Sequence, residues 1–215
     1  MQNKFDCFAS LKDVGILPVV CLKSDSELET FATAISKTPL RCVELTMRHP
    51  YATTAIAELK RRCPELTVGA GTVTTLQKLD EAIEAGADYG VSPVIDAEIL
   101  DAADERGFPF LAGCATPSEI FSVYKRGCPT VKLFPAELMG GAKALKLYES
   151  ALSGITFVPT GGINMDNLGD YLACKNVLAC GGSFMAPAAM ISAGDVGAIV
   201  SLIEKCIEIY KGSRI

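Results

Sequence analysis

The sequence has little histidine: His49 is the only one in 215 residues. A zinc or iron site built on histidine ligands needs several, and a Ser-His or Cys-His nucleophile would depend on this one side chain. His49 precedes Pro50 at the start of a predicted helix, so we expect it in a solvated loop. The shortage of histidine therefore argues against metallohydrolases and triad enzymes.

Long apolar runs and clusters of one charge are also missing. No apolar run reaches the roughly 20 residues of a membrane helix, and residues 1–12 alternate charged with apolar side chains. We therefore expect neither a membrane span nor a signal peptide. The 20 Lys and Arg and 25 Asp and Glu are interleaved, with a net charge of −5. This pattern argues against a nucleic-acid partner, although a local group of cations and amides can still bind a small anion.

The nine cysteines are scattered, and no two of them form a Cys-x-x-Cys motif. An odd number without a pairing pattern argues against a disulfide framework and indicates small core side chains in a reducing compartment. We therefore expect a cytoplasmic protein.

Short β-branched runs alternate with amphipathic segments along the whole chain. The predicted strands are 17–22, 42–46, 67–71, 89–92, 109–112, 130–134, 156–160 and 177–180. The predicted helices are 26–36, 52–62, 76–85, 97–106, 117–125, 143–152, 167–173 and 198–210, with a short N-terminal helix over 5–13. Eight such units predict an α/β fold, a (β/α)8 TIM barrel in a single domain spanning 1–215. A doubly wound sheet is less suitable because the first strand–helix turn, 23–26, has no glycine.

Several helix ends are marked by residue type. Thr74 or Thr75 is a predicted N-cap, and Thr116 with Glu119 and an intervening proline is typical of a capped helix start. Gly86 and Gly107 follow helical patterns at positions that favour a left-handed residue.

Two charged residues are predicted to face the barrel interior. In 42–46 and in 130–134, the apolar residues flanking Glu44 and Lys132 face the outer helices, so both charged side chains point inward. Burial penalises the charged form of an amine, and an uncharged amine is a nucleophile suited to ketones. A buried ion pair with a purely structural role is the alternative interpretation of these two residues.

Glycine-rich segments follow the last two predicted strands. Barrels commonly bind phosphate there through backbone N–H groups. Gly161 and Gly162 after the seventh strand, and Gly182 and Ser183 after the eighth, therefore predict a phosphorylated ligand, although tight turns would also explain each pair. Thr72, which follows Gly-Ala-Gly after the third strand, is by itself better explained as a capping residue.

Six segments in this order resemble the 2-keto-3-deoxy-6-phosphogluconate (KDPG) and 4-hydroxy-2-oxoglutarate (KHG) aldolase family. They are VELTMR (43–48), VGAGTV (68–73), VSP (91–93), VKLFPAE (131–137), PTGGI (159–163) and GGSFMAP (181–187). The resemblance extends from Leu17 to Pro187, nearly the whole chain. It implies a class I aldolase, a lyase that uses neither a metal nor another cofactor and forms a homotrimer.

The resemblance also implies roles for particular residues. Lys132 would form the Schiff base, and Glu44 would act as general acid and base. Arg48 and Thr72 would bind the substrate carboxylate. The other implied contacts are Pro93, Phe134 and Thr160 around the pyruvyl group and Gly161, Gly162, Gly182 and Ser183 around the phosphate.

The expected reaction is cleavage of KDPG to pyruvate and glyceraldehyde 3-phosphate. The loop 113–117 carries fewer hydroxyl groups than we expect of the family, which leaves the sugar-end specificity open. KHG and the 6-phosphogalactonate epimer are therefore alternative substrates. Two alternatives belong to other functional classes: a non-catalytic barrel that binds sugar phosphates, and an isomerase that uses Glu44 as its base. Neither needs a Lys132 that forms an imine.

Overall fold

The structure is a computed structural model that describes residues 7–8 and 11–213. Along these residues short strands alternate with helices, and all paired strands are parallel. The strands are β1 Ile16–Val20, β2 Cys42–Thr46, β3 Thr67–Gly71, β4 Tyr89–Val91, β5 Phe110–Leu111, β6 Gly113–Cys114, β7 Thr130–Leu133, β8 Thr156–Pro159 and β9 Cys180–Gly182.

The connecting helices begin and end close to the predicted positions. They are α1 Leu11–Val14, α2 Asp25–Ser36, α3 Ala52–Arg62, α4 Leu76–Glu84, α5 Ala97–Glu105, α6 Pro117–Lys125, α7 Gly141–Ala151, α8 Leu168–Leu172, α9 Ala188–Ser192 and α10 Val196–Ser213. Thr75 is the N-cap of α4, and Thr116 and Glu119 form a reciprocal capping box at α6. Gly86 and Gly107 adopt the expected positive φ angles of 81° and 62°. No helix in the described ranges is both long and apolar enough to cross a bilayer.

The strands form two parallel sheets that place their carboxyl ends at a common edge. The larger sheet has the order β5-β4-β3-β2-β1-β9, and the smaller has the order β6-β7-β8. Single bridges join Phe157 to Val177 and Thr160 to Gly181, which connects β8 with β9. The predicted α/β class with parallel strands is therefore confirmed.

Three predicted elements differ from the structure. The predicted fifth strand, 109–112, contains only the two-residue strand β5, and a second short strand, β6, follows beyond its predicted end and belongs to the other sheet. At the start of β6, Gly113 packs directly against the backbone of Pro93, an approach that a side chain would prevent. The eighth strand lies at Cys180–Gly182 rather than over 177–180, and Val177 contributes only an isolated bridge. The predicted N-terminal helix falls partly outside the described residues, and within them the helix is α1.

Apolar side chains fill the interior of the strands below this edge. One cluster combines inward-facing residues of several strands with the segment that precedes β1; its members include Phe8, Leu17, Tyr89, Leu111 and Val158. The ring of Phe8 contacts Tyr89 edge-on, with 5.0 Å between centroids. A larger cluster lies between the strands and the surrounding helices. The candidate site lies at the carboxyl ends of the strands, where the lining of a cavity includes Val20, Thr46 and Gly182.

Candidate active site

Lys132 and Glu44 face each other in the interior of the strands, as the alternation of β2 and β7 predicts. Nζ of Lys132 lies 3.5 Å from Oε1 of Glu44, with side-chain exposures of 7% and 2%. They are the only charged side chains among the buried residues of the described chain. A buried ion pair adds little net stability because desolvating both charges offsets their attraction. This makes a purely structural role a weak explanation for the pair.

The carboxylate of Glu44 occupies space that depends on a glycine in the neighbouring strand. β3 pairs with β2 over its whole length, with Thr46 opposite Gly71. A Cβ atom at Gly71 would lie 2.8 Å from Cγ and 2.9 Å from Cδ of Glu44, and closer still to Oε1. The second glycine of the segment 68–73 therefore sets the position of the general acid–base candidate, a role that the sequence analysis did not identify.

A cavity of about 290 Å³ opens at the carboxyl ends of the strands. Its lining includes these predicted site residues: Arg48, Phe134, Thr160, Gly161, Gly162, Gly182 and Ser183. Among the described residues, neither Lys132 nor Glu44 is part of this lining. The amine of Lys132 lies behind it, 5.5 Å from the centroid of the Phe134 ring. A small molecule bound in the cavity would be within reach of a buried amine and its neighbouring carboxylate.

Arg48 and Thr72 lie together at one side of this cavity. Nε of Arg48 donates a hydrogen bond of 3.3 Å to Oγ1 of Thr72. Thr72 has a φ of 63°, the only positive φ outside glycine in the described ranges, and such strained residues are concentrated at functional sites. Within the described chain, neither Thr72 nor Pro93 lines the cavity directly. Thr72 is therefore connected to the cavity through its hydrogen bond with Arg48, whereas Pro93 packs against Gly113.

Hydrogen bonds from Asn167, which directly precedes α8, and from Glu137 hold the glycine turn after β8. Gly161 and Gly162 have φ angles of 97° and 83°, and their carbonyl groups accept from the backbone N–H of Glu137 at 3.0 Å and from Nδ2 of Asn167 at 3.0 Å. The hydroxyl of Tyr171 donates to the Glu137 carboxylate at 2.6 Å. Burial, and then this carboxylate, raise the pKa of Tyr171 well above its ordinary value. The turn is thus fixed in a conformation that presents backbone groups to the cavity.

Two threonine hydroxyl groups at the cavity lack a hydrogen-bond partner in the described part of the chain. They are Oγ1 of Thr46 and Oγ1 of Thr160, on residues that are 4% and 8% exposed. A buried hydroxyl without a partner costs roughly 1–3 kcal/mol. Thr160 was a predicted site residue, and Thr46 was not. Both line the cavity, so a bound ligand could supply the missing hydrogen bonds.

A second, more open cavity of about 790 Å³ lies beside the first, between α3 and α4, and Arg48 lines both. Its lining includes His49, Lys78 and Glu81. Among the described residues, Phe134, which lies next to the buried amine, lines the smaller cavity and not this one. His49 is half-buried in the turn after β2, and its Nδ1 accepts a hydrogen bond of 3.2 Å from the backbone of Tyr51. We assign the chemistry to the smaller cavity because it adjoins the buried amine.

The described residues contain no group of three His, Cys, Asp or Glu side chains that could hold a metal ion. The arrangement therefore offers an amine, a carboxylate, an arginine and a glycine turn as its chemical groups. Together these groups can bind an anionic carbonyl compound and form a covalent bond to it.

Known proteins resemble the chain in both sequence and structure. A sequence model of the KDPG and KHG aldolase family matches residues 8–202. The KHG/KDPG aldolase of Escherichia coli strain K12 is 39% identical over 209 residues, covering 97% of this chain and 98% of the relative.

Two solved structures share the fold. The first is KDPG aldolase from Legionella pneumophila, with pyruvate captured at low pH as a covalent carbinolamine intermediate. It superimposes with a TM-score of 0.87 at 30% identity, covering 96% of this chain and 98% of that one. The second, the KDPG aldolase of Zymomonas mobilis ZM4 with 3-phosphoglycerate, has a TM-score of 0.86 at 32% identity and covers 94% of each chain.

Proposed function

Because the chain belongs to the KDPG and KHG aldolase family, we propose that it is a class I aldolase, a lyase that cleaves KDPG to pyruvate and glyceraldehyde 3-phosphate. The observation that carries this proposal is the buried amine of Lys132, 3.5 Å from the carboxylate of Glu44. A binding protein for sugar phosphates needs neither group, and an isomerase needs no amine.

The reaction begins with attack of Nζ of Lys132 on the C2 ketone of the substrate. The resulting carbinolamine loses water, with Glu44 supplying the proton, and leaves a protonated imine. When the C3–C4 bond breaks, its electron pair moves to C3 and on to the imine nitrogen, forming a neutral enamine. Glu44 accepts the proton of the C4 hydroxyl as glyceraldehyde 3-phosphate leaves. Protonation of the enamine at C3 and hydrolysis of the imine then release pyruvate and restore Lys132.

Arg48 and Thr72 are proposed to bind the substrate carboxylate. Arginine suits this group because its planar guanidinium can bind two carboxylate oxygens together. The existing hydrogen bond between Arg48 and Thr72 supports a joint role, since it holds the two side chains next to each other. Phe134, Pro93 and Thr160 are proposed to surround the pyruvyl group.

The turn Gly161–Gly162, together with Gly182 and Ser183, is proposed to bind the phosphate. Support comes from the position of these residues in one cavity and from the positive φ angles of Gly161 and Gly162. Glycine lets the backbone approach an anion closely. Backbone N–H groups and the hydroxyl of Ser183 would then act as donors to the phosphate oxygens.

We also propose that the two sheets close into one (β/α)8 barrel and that residues 1–215 form a single domain. Ala112, between β5 and β6, accepts a hydrogen bond of 3.0 Å from the backbone of Lys132, which links the end of the predicted fifth strand to β7. The bridge from Thr160 to Gly181 links the other end. Both contacts support a continuous ring of strands.

We further propose that the protein forms a homotrimer and is located in the cytoplasm. The family resemblance implies the trimer, and exposed apolar side chains such as Leu138 and Leu147, 79% and 71% exposed, offer surface for an interface. Sedimentation at equilibrium tests the trimer, and a monomer mass would contradict it.

The cytoplasmic location is supported by the nine cysteines, all in the described ranges, which occur as thiols, as is usual in a reducing compartment.

Comparing kcat/KM for KDPG, its galactonate epimer and unphosphorylated KHG tests the substrate assignment. We expect a higher value for KDPG than for KHG, because only a phosphorylated substrate uses the glycine turn and Ser183, and we expect KDPG to exceed its epimer, as the substrate assignment requires. A higher value for KHG would instead assign the unphosphorylated substrate, and a higher value for the epimer would reverse the assignment at C4. Absence of cleavage with all three would contradict the aldolase proposal.

A further inference from the structure

Thr46 is the last residue of β2 and has a hydroxyl group that the fold does not use. Three other threonines of the described chain are buried and lie away from the cavity, and each has a hydrogen-bond partner. Thr30 and Thr38 donate to backbone oxygens at 2.9 Å, and the hydroxyl of Thr130 pairs with that of Thr156 at 2.8 Å. Thr46 is 4% exposed, yet its Oγ1 has no partner within the described residues. It lines the cavity beside the buried amine.

This unpaired hydroxyl lies between two groups with proposed roles. Side chains two residues apart on a strand share a face, so Thr46 points into the same interior as Glu44. Glu44 lies beside Nζ of Lys132, which would bind C2 of a keto acid. Arg48, two residues beyond Thr46, lies at the proposed carboxylate site with Thr72. In a 2-keto acid the carboxylate carbon is bonded directly to C2, so these two sites mark adjacent atoms of the ligand.

We propose that the hydroxyl of Thr46 donates a hydrogen bond to the C1 carboxylate of the bound 2-keto acid. The inference rests on the proposed function and adds a binding residue that neither alternation nor family resemblance identified. The β-branched side chain of threonine is restricted at χ1, so the donor is oriented before the ligand arrives. Every substrate with a 2-keto acid end would use this contact, with or without a phosphate.

The test measures the pyruvate concentration that gives half-maximal covalent labelling of the protein when borohydride reduces the imine. In Thr46→Val, which keeps the shape and removes the hydroxyl, we expect the half-saturating pyruvate concentration to rise by about tenfold or more, since a hydrogen bond to a charged group is lost. Thr46→Ser restores the hydroxyl and is expected to stay within about threefold of the unaltered protein. KM for KDPG and for KHG should rise by similar factors in Thr46→Val.

The melting temperature separates binding from structure. Because Thr46→Val removes an unpaired buried hydroxyl, the free variant should melt at the same temperature or higher. Thr130→Val is the matched control: it is also a buried strand threonine, but its hydroxyl is paired. That variant should melt at a lower temperature and bind pyruvate normally.

The outcomes distinguish this inference from the proposed function. If the unaltered protein fixes pyruvate and Thr46→Val does so at the same concentration, the inference is wrong and the aldolase proposal stands. If Thr46→Val melts lower, as Thr130→Val is expected to do, the hydroxyl is structural and the inference is also wrong. If the unaltered protein fixes no pyruvate, the proposed function itself fails.

Discussion

Replacing Gly71 by alanine would place a methyl group against the carboxylate of Glu44. Ordinary contact with a Cβ atom begins at 3.4 Å, whereas Cγ of Glu44 would lie at 2.8 Å and Oε1 nearer still. Gly71 does not have a positive φ, so the backbone accepts alanine and the side chain of Glu44 must move. The carboxylate would be displaced on the order of 1 Å from its place beside Lys132.

A displacement of that size at a reacting group can lower the rate by a factor on the order of 10². We therefore expect Gly71→Ala to lower kcat for KDPG by a factor on the order of 10 to 10², while Lys132 still forms an adduct with pyruvate. Pyruvate release, followed with lactate dehydrogenase, gives kcat. Borohydride fixation followed by mass measurement gives the adduct.

Two further variants control this prediction. Gly169→Ala places a methyl group in α8 where its nearest neighbour is 3.6 Å away, and it should leave kcat unchanged. Glu44→Asp shortens the same side chain without altering β3 and should lower kcat in a similar way. An unchanged kcat in both Gly71→Ala and Glu44→Asp, with folded protein, would refute the dependence of catalysis on the position of this carboxylate.

Three more variants test separate parts of the account. Glu44→Gln should still bind pyruvate covalently but turn over more slowly by a factor on the order of 10² or more; full steady-state activity would remove Glu44 from the mechanism. Tyr171→Phe removes the donor to Glu137 and should raise KM for KDPG by about threefold to tenfold without affecting KM for KHG; an equal rise for both would show that the turn does not select the phosphate. Glu119→Gln tests a contribution to stability. Hydrogen bonds from the backbone N–H groups of Ala115 and Thr116 lower the pKa of Glu119. The carboxylate therefore stabilises the fold above pH 4.5, and this contribution disappears as the pH falls through the lowered pKa. The melting-temperature difference from the unaltered protein should therefore be largest near pH 7 and vanish at low pH, and a pH-independent difference would contradict it.

Residue alternation predicted the central pair of the site. Short strands with one charged residue among apolar neighbours can bury that residue only by turning it toward the interior, and both Glu44 and Lys132 lie there. Helix starts at Thr75 and Thr116 were equally readable, because capping depends on a few neighbouring residues. Local chemistry of this kind can be predicted from a single sequence.

Features that depend on distant packing were not predictable. Beyond the predicted fifth strand, β6 begins at Gly113, which approaches the backbone of Pro93 closely, a contact that no local pattern encodes. Strand β9 begins at Cys180 and ends in two glycines, residues with low strand propensity, so the prediction stopped where the strand begins. The five-residue helix α9 is too short to show a helical period.

The unpaired hydroxyl of Thr46 was not predictable either, because hydrogen bonding depends on residues distant in sequence. A threonine two residues after Glu44 is expected on the same face of the strand, but only coordinates reveal whether its hydroxyl has a partner. The contact between Gly71 and the side chain of Glu44 was likewise not predicted, because it joins residues of two different strands.

The most direct measurement locates the covalent adduct. The folded protein is mixed with pyruvate, reduced with borohydride, digested and analysed by mass spectrometry, with Lys132→Ala treated in parallel. We expect one reduced pyruvyl group, carried by Lys132, and neither adduct nor KDPG cleavage in the variant. An unmodified Lys132 in the folded protein, or cleavage of KDPG by Lys132→Ala at an undiminished rate, would contradict it.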